Sequence, residues 1–146
     1  MAQRLDYLTF YRGNFATGYD YFYLKRQDGH AFLHFEPKGA PVLDVTDGDF
    51  DYYNPHYSQD GTPFTWRYRE EWTDLSKEWD ALIEELLAII DTWLPEYHGP
   101  SFETAADNDE WGVRFKRPGQ VDDVIWGLNA FPGNLADFQA RLEALK

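Results

Sequence analysis

Residues 74–94 read DLSKEWDALIEELLAIIDTWL, and this stretch decides the fold. Its large apolar residues recur at steps of three and four, which places them on one face of a helix. Thr73 or Asp74 is suited to cap the start of that helix, and Pro95 is suited to end it. The sequence therefore predicts one long helix, whose apolar face needs a sheet to cover it. The residues of that face are Leu75, Trp79, Leu82, Ile83, Leu86, Ile90, Trp93 and Leu94.

Before and after this helix, six segments in all are rich in β-formers or alternate between apolar and polar residues, as strands do. They are residues 5–11, 19–26, 30–36, 64–69, 111–116 and 123–128, with a short edge segment at 42–45. Residues 96–110 are predicted to form a loop, and Asn134 is predicted to cap a short final helix. The expected fold is α+β, with an antiparallel sheet of five to seven strands packed on one long helix and a short C-terminal helix.

Composition limits the classes of function. The length of 146 residues suits one domain, residues 1–146, and the absence of cysteine excludes disulfides and thiolate metal sites. The formal charge of −13 disfavours nucleic acid and anionic membranes as partners and favours a basic one, although solubility alone also explains it. Because we find no signal peptide and no apolar run long enough to span a membrane, we expect a cytoplasmic protein.

The common catalytic and phosphate-binding motifs do not occur in the sequence. His30 and His34 would lie about 13 Å apart on a strand and cannot share a metal ion. We therefore expect no enzyme, no cofactor and no metal. The alternative is a ligand-binding protein or small enzyme that uses one of these histidines and an aromatic strand face. The aromatic residues of that face are Tyr7, Tyr11, Tyr19, Tyr21 and Tyr23.

Two acidic segments are the candidate binding site, namely residues 44–57 and residues 107–110. The spacing of the aspartates in the first segment does not fit a calcium-binding EF-hand. Tyrosines offer rigid contact area and aspartates offer charge complementarity, so we expect a protein partner here, and a solvated loop is the alternative. If these segments do not bind, the acidic side of the long helix around Asp80 and Glu84 is the next candidate. The expected contact residues are Asp44, Asp47, Asp49, Asp51, Tyr52, Tyr53, Tyr57, Asp107, Asp109 and Glu110.

Two segments near the C-terminus resemble a known pattern. WGVRF at residues 111–115 and GLNAFPGNLADF at residues 127–138 are similar to small bacterial proteins in which a hairpin ends in G-x-N-[AG]-[FY]-P before a terminal helix. Some of those proteins resemble immunity proteins encoded beside polymorphic secreted toxins. The resemblance implies a non-enzymatic inhibitor that binds a cognate antibacterial toxin domain and blocks its active site.

The same motif also has a structural interpretation. Asn129 is suited to satisfy backbone groups where the strand ends, and Pro132 is suited to fix the turn. Because this explanation needs no toxin, a scaffold or adaptor domain without a toxin partner is the alternative function.

Overall fold

The computed structural model describes residues 4–14, 16–27, 29–39, 73–100, 104 and 107–146. In these residues it shows an α+β fold, a mostly antiparallel sheet with two helices. The strands are β1 (Tyr7–Asn14), β2 (Gly18–Gln27), β3 (His30–Gly39), β4 (Thr73–Asp74), β5 (Glu96–His98), β6 (Glu110–Lys116) and β7 (Asp123–Leu128). The helices are α1 (Trp79–Ile90) and α2 (Leu135–Glu143). Across the sheet the strands run β4-β3-β2-β1-β6-β7-β5, which confirms the predicted fold class.

The centre of the sheet joins two regions that are far apart in sequence. β1, β2 and β3 form an antiparallel meander, in which Phe10 lies opposite Phe22 and Leu24 lies opposite Leu33. The other edge of β1 pairs antiparallel with β6, where Phe10 lies opposite Val113. The hairpin of β6 and β7 thereby extends the meander into one sheet.

Most of the predicted strands are present, with shifted ends. Those confirmed are the strands predicted over residues 5–11, 19–26, 30–36, 111–116 and 123–128. The strands predicted over residues 42–45 and 64–69 lie outside the described residues. The loop predicted over residues 96–110 is wrong in part, because β5 pairs parallel with β7 and Tyr97 lies opposite Gly127. A strand of three residues is too short to show an alternating pattern.

The helix predicted over residues 74–94 is wrong in length, since α1 has 12 residues. Thr73 and Asp74 belong to β4 and pair with Leu33 and Phe32 of β3. The Asp74 carboxylate accepts a 2.8 Å hydrogen bond from the backbone N–H of Ser76, so it stabilises a turn before the helix. Pairing with the sheet therefore prevents the chain from becoming helical as early as its apolar pattern suggested.

The C-terminal end of α1 also comes before the predicted stop at Pro95. The backbone N–H groups of Thr92 and Trp93 donate to the carbonyls of Ile89 and Ile90, each three residues earlier. Such bonds tighten the last turn and close the helix. Thr92 itself donates its hydroxyl to the Ile89 carbonyl at 2.7 Å, so the helix ends on local hydrogen bonds and not on proline.

The apolar face of α1 packs on the sheet, as its spacing predicted. Its buried residues join one core with the alternate residues of β1, β2, β3 and β6, and α2 packs on the same core. Phe138 of α2 contacts the ring of Phe10 edge-on at 5.5 Å. The buried residues of α1 are Trp79, Leu82, Ile83, Leu86, Leu87 and Ile90. Both helices therefore cover the same face of the sheet.

Asn134 precedes α2, as predicted, but its side chain does not cap the helix. Its carboxamide oxygen accepts a 2.6 Å hydrogen bond from the indole N–H of Trp93. This bond ties the start of α2 to the segment after α1. In the described residues, no helix is long and apolar enough to cross a membrane.

Leu86→Ala should lower the free energy of unfolding by about 2–5 kcal/mol, because it opens a cavity at a fully buried position. Chemical denaturation measures the change. Glu84→Ala, on the exposed side of the same helix, is the matched control and should change stability by less than about 0.5 kcal/mol. A loss below about 1 kcal/mol for Leu86→Ala would show that this face is not part of the core.

Candidate functional site

The acidic residues 107–110 lie at the end of the sheet where β1 stops and β6 starts. Glu110 is the first residue of β6 and lies opposite Gly13 of β1 and Leu128 of β7. The Asn14 carboxamide donates a 3.0 Å hydrogen bond to the Asn108 carbonyl and so ties the segment to the end of β1. We call residues 107–110, together with Arg12 and Asn129 that hold them, the acidic corner.

Asn129 fixes the backbone of the acidic corner. Its φ of 53° lies in the left-handed region, and its carboxamide oxygen accepts a 2.7 Å hydrogen bond from the Asp109 N–H. Its carboxamide nitrogen donates to the Pro100 carbonyl at 2.7 Å and to the Asn108 side-chain oxygen at 2.9 Å. The predicted role of Asn129 at the strand end is therefore confirmed. Asn129, in the segment GLNAFP at residues 127–132, therefore shapes the acidic segment.

Arg12 binds the Asp109 carboxylate with two hydrogen bonds. Its Nε lies 3.0 Å from one carboxylate oxygen, and its Nη2 lies 2.7 Å from the other. The remaining Nη1 donates to the Gln139 side chain of α2 at 2.7 Å, and the guanidinium lies 5.0 Å from the centre of the Phe131 ring. Bidentate pairs of this kind hold both side chains in a fixed orientation. Arg12 therefore compensates the charge of Asp109. The Phe131 ring beside Arg12 remains 40% exposed.

Glu110 is held by a tyrosine. The Tyr19 hydroxyl donates a 2.7 Å hydrogen bond to the Glu110 carboxylate. Burial raises the pKa of Tyr19 well above its ordinary value of 10.0, and the hydrogen bond to Glu110 raises it further. Tyr19 is therefore a hydrogen-bond donor at neutral pH, and it fixes the position of the half-buried Glu110 side chain.

The three predicted contact residues of this segment thus have different surroundings. Asp107 is exposed and has no ion pair in the described part of the chain. Asp109 and Glu110 are bound by side chains of β1 and β2, which the sequence alone does not place beside them. Arg12, Gln139 and Phe131 are members of the site that the sequence reasoning missed. The first strand was predicted to end at residue 11, whereas β1 continues through Arg12 to Asn14, so the sequence did not place Arg12 on the sheet.

The other predicted contact residues lie outside the described residues, and their role stays a prediction. They are Asp44, Asp47, Asp49, Asp51, Tyr52, Tyr53 and Tyr57. The next candidates, Asp80 and Glu84, are exposed on α1, as the helical pattern indicated.

The tyrosines considered as a ligand groove are buried. They lie on the sheet face opposite the helices, because they alternate with core residues such as Leu8 and Phe22. Tyr21 and Tyr23 stack at 5.5 Å, and Tyr11 meets Tyr19 edge-on at the same distance. Each of the five is at most 9% exposed. They therefore form a second buried layer on the sheet rather than the walls of an open groove.

The acidic corner brings together three carboxylates, those of Asp107, Asp109 and Glu110, beside the guanidinium of Arg12. Within the described ranges, no cluster of three or more His, Asp or Glu side chains is arranged to hold a metal ion. Comparison with protein-family models, with characterised proteins and with solved structures found no match. The residues of the chain and their geometry are therefore the basis for proposing its function.

Asn129→Gly should lower the free energy of unfolding by about 1–3 kcal/mol, because the Asp109 N–H and the Pro100 carbonyl lose their partner. Glycine adopts the left-handed backbone readily, whereas alanine does not. Asn129→Ala should therefore be less stable by about a further 1–2 kcal/mol. Urea denaturation of both variants measures the two effects, and equal stability of both variants and the unmodified chain would contradict the role given to Asn129.

Tyr19→Phe should weaken the protein at pH 7 by about 0.5–1.5 kcal/mol, because the hydrogen bond to Glu110 is lost. Folding raises the pKa of Tyr19. The contribution of Tyr19 to the free energy of unfolding is therefore complete below about pH 10, and it declines above that pH because Tyr19 ionises in the unfolded chain. The unmodified protein should therefore lose up to about 1.4 kcal/mol per pH unit more than Tyr19→Phe above pH 10. Urea denaturation between pH 7 and 11 measures both curves, and parallel curves would contradict the raised pKa.

Proposed function

We propose that this chain is an immunity protein, which binds a cognate antibacterial toxin domain in the cytoplasm and blocks its active site without catalysis. The observation that carries the proposal is the acidic corner, an acidic surface segment whose shape is fixed by hydrogen bonds from β1, α2 and the turn after β7. The formal charge of −13 adds long-range attraction to a basic partner.

The rigidity of the acidic corner favours binding. Its backbone is tied by Asn129, and the Asp109 carboxylate is oriented by Arg12 before any partner arrives. A surface that is already ordered loses little conformational entropy when a complex forms. Asp107, which has no ion pair among the described residues, supplies charge, and the exposed ring of Phe131, which lies against Arg12, supplies an apolar contact. Aromatic contacts surrounded by polar groups are typical of the residues that contribute most to protein interfaces.

The charge of the corner also suggests what it blocks. A nuclease, or another enzyme with a phosphate-rich substrate, needs a basic active site to bind that substrate. Carboxylates of an inhibitor can occupy the position of the phosphates. In this proposal the corner acts together with the aspartates and tyrosines of residues 44–57.

The experiment starts from the neighbouring genes. An immunity function predicts an adjacent gene for a large secreted protein with a variable C-terminal domain, and that domain should form a complex with this chain and lose its toxic activity. The C-terminal domain of an unrelated toxin is the control. If the cognate domain forms no complex at micromolar concentration, the chain is not its immunity protein, and the scaffold or adaptor function gains support.

Neutralising the acidic contacts should slow the formation of that complex. A variant with Asp107→Asn and with Asn at positions 47, 49 and 51 removes charge, so association should slow and depend less on salt, while dissociation changes little. Stopped-flow measurements at several ionic strengths give both rates. The control is the double variant Asp80→Asn and Glu84→Asn on α1, compared with the double variant Asp47→Asn and Asp107→Asn, which removes the same charge. If the control slows association and the first variant does not, the partner binds the acidic side of α1 and not the proposed site.

A further inference from the structure

We propose that the outer edge of β5 is a strand-pairing site for an extended, basic segment of a partner protein. The proposal rests on the proposed function only for the identity of that partner, the toxin domain. The site itself follows from the backbone of β5, which is the last strand at one edge of the described sheet.

The inner edge of β5 pairs with β7 along the strand. The Pro95 carbonyl accepts a 3.2 Å hydrogen bond from the Trp126 N–H, and the Gly99 N–H donates at 2.7 Å to the Leu128 carbonyl. In a strand, the backbone groups of every second residue point to the same edge. The groups of residues 95, 97 and 99 therefore face β7.

The groups of Glu96 and His98 consequently point away from β7. Within the described residues, no backbone group pairs with them. Their side chains are 55% and 60% exposed, so solvent reaches the side chains beside this edge. Natural edges are often protected by lysine or by a bulge. β5 has neither lysine nor a bulge, and its protection is its length of three residues, the charge of Glu96 and the flanking Pro95 and Pro100, none of which removes the outward N–H groups of Glu96 and His98.

The surroundings of this edge favour a basic occupant. Leu94, which precedes β5, is 63% exposed and offers an apolar contact. Glu96 adds a carboxylate on the strand itself. At the other end of β5 the chain continues through Pro100, whose carbonyl is bound by Asn129 of the acidic corner. The Pro100 end of this edge therefore lies next to the acidic corner.

A second copy of this chain is a poorer occupant than a basic segment. Each copy carries a formal charge of −13, so two copies repel, whereas a segment with lysine or arginine is attracted. Addition of a strand to a sheet edge is a general mode of peptide recognition, in which backbone bonds give affinity and alternate side chains give specificity. The structure thus assigns an extended segment with alternating basic and apolar residues.

The test uses the full chain and two heptapeptides, one alternating Lys and Val and one alternating Glu and Val. The matched variants are His98→Pro and His98→Ala. Proline removes the outward N–H at position 98, while alanine removes only the side chain with its contacts to Glu96 and Trp126. Nuclear magnetic resonance follows the backbone amides during each titration, and thermal melting checks that both variants fold.

The Lys-Val peptide should shift the Glu96 amide of the unmodified chain and of His98→Ala, with at least threefold weaker binding to His98→Pro. On the unmodified chain, amide hydrogen exchange at Glu96 and His98 should slow at least tenfold at saturation. The amide of Tyr97, which already faces β7, should not change. This exchange measurement decides the question even if His98→Pro does not fold.

Three results would overturn the proposal. One is the absence of any effect at Glu96 and His98, and another is an equal effect of the Glu-Val peptide. The third is slowed exchange at these amides when the chain alone is concentrated, which would identify a second copy as the occupant. A toxin complex that leaves both amides unprotected would overturn the strand-pairing site but not the immunity function. Peptide binding without any toxin complex would support the strand-pairing site and contradict the immunity function.

Discussion

The pairing of β1 with β6 is the constraint on which the rest of the structure depends. It runs from Tyr7 opposite Lys116 to Gly13 opposite Glu110, and so joins two segments that are far apart in sequence. Closing the long stretch of chain between these two strands has a high entropic cost. The burial of the many side chains beside the pairing must offset that cost. One consequence is a single core under both helices, in which Phe10 meets Phe138.

The same pairing creates the acidic corner. It places Arg12, near the end of β1, beside the residues that precede β6, and Arg12 then bonds Asp109 and Gln139. In a chain of net charge −13, an arginine at this position reduces repulsion among the clustered carboxylates. The surface that we propose for the toxin is therefore stabilised by the opposite charge within it. Its remaining acidity comes from Asp107, from Glu110, whose partner Tyr19 is uncharged, and from the exposed part of Asp109.

The sheet is covered on both faces, which explains its unusual share of aromatic residues. The face toward the helices carries Leu8, Phe10 and Phe22, whereas the opposite face carries buried tyrosines. Tyrosine suits such a layer because its ring packs while its hydroxyl finds a hydrogen bond, as Tyr19 does with Glu110. An antiparallel sheet exposed on one face would alternate between apolar and polar residues instead.

The sequence by itself determined the elements whose signals are local. The apolar spacing of Leu82, Leu86 and Ile90 identified the buried face of α1, and the turn chemistry of Asn129 identified the end of β7. What only the tertiary structure decided depends on partners distant in sequence. Because Thr73 and Asp74 pair with the sheet, α1 starts later than predicted. Residues 96–98 form the strand β5 because they pair with β7. Likewise, the sequence indicates that Asp109 and Glu110 are free charges, whereas the fold pairs them with side chains of β1 and β2. Contacts between side chains on different strands leave no periodic pattern in the sequence, so the sequence alone does not predict them.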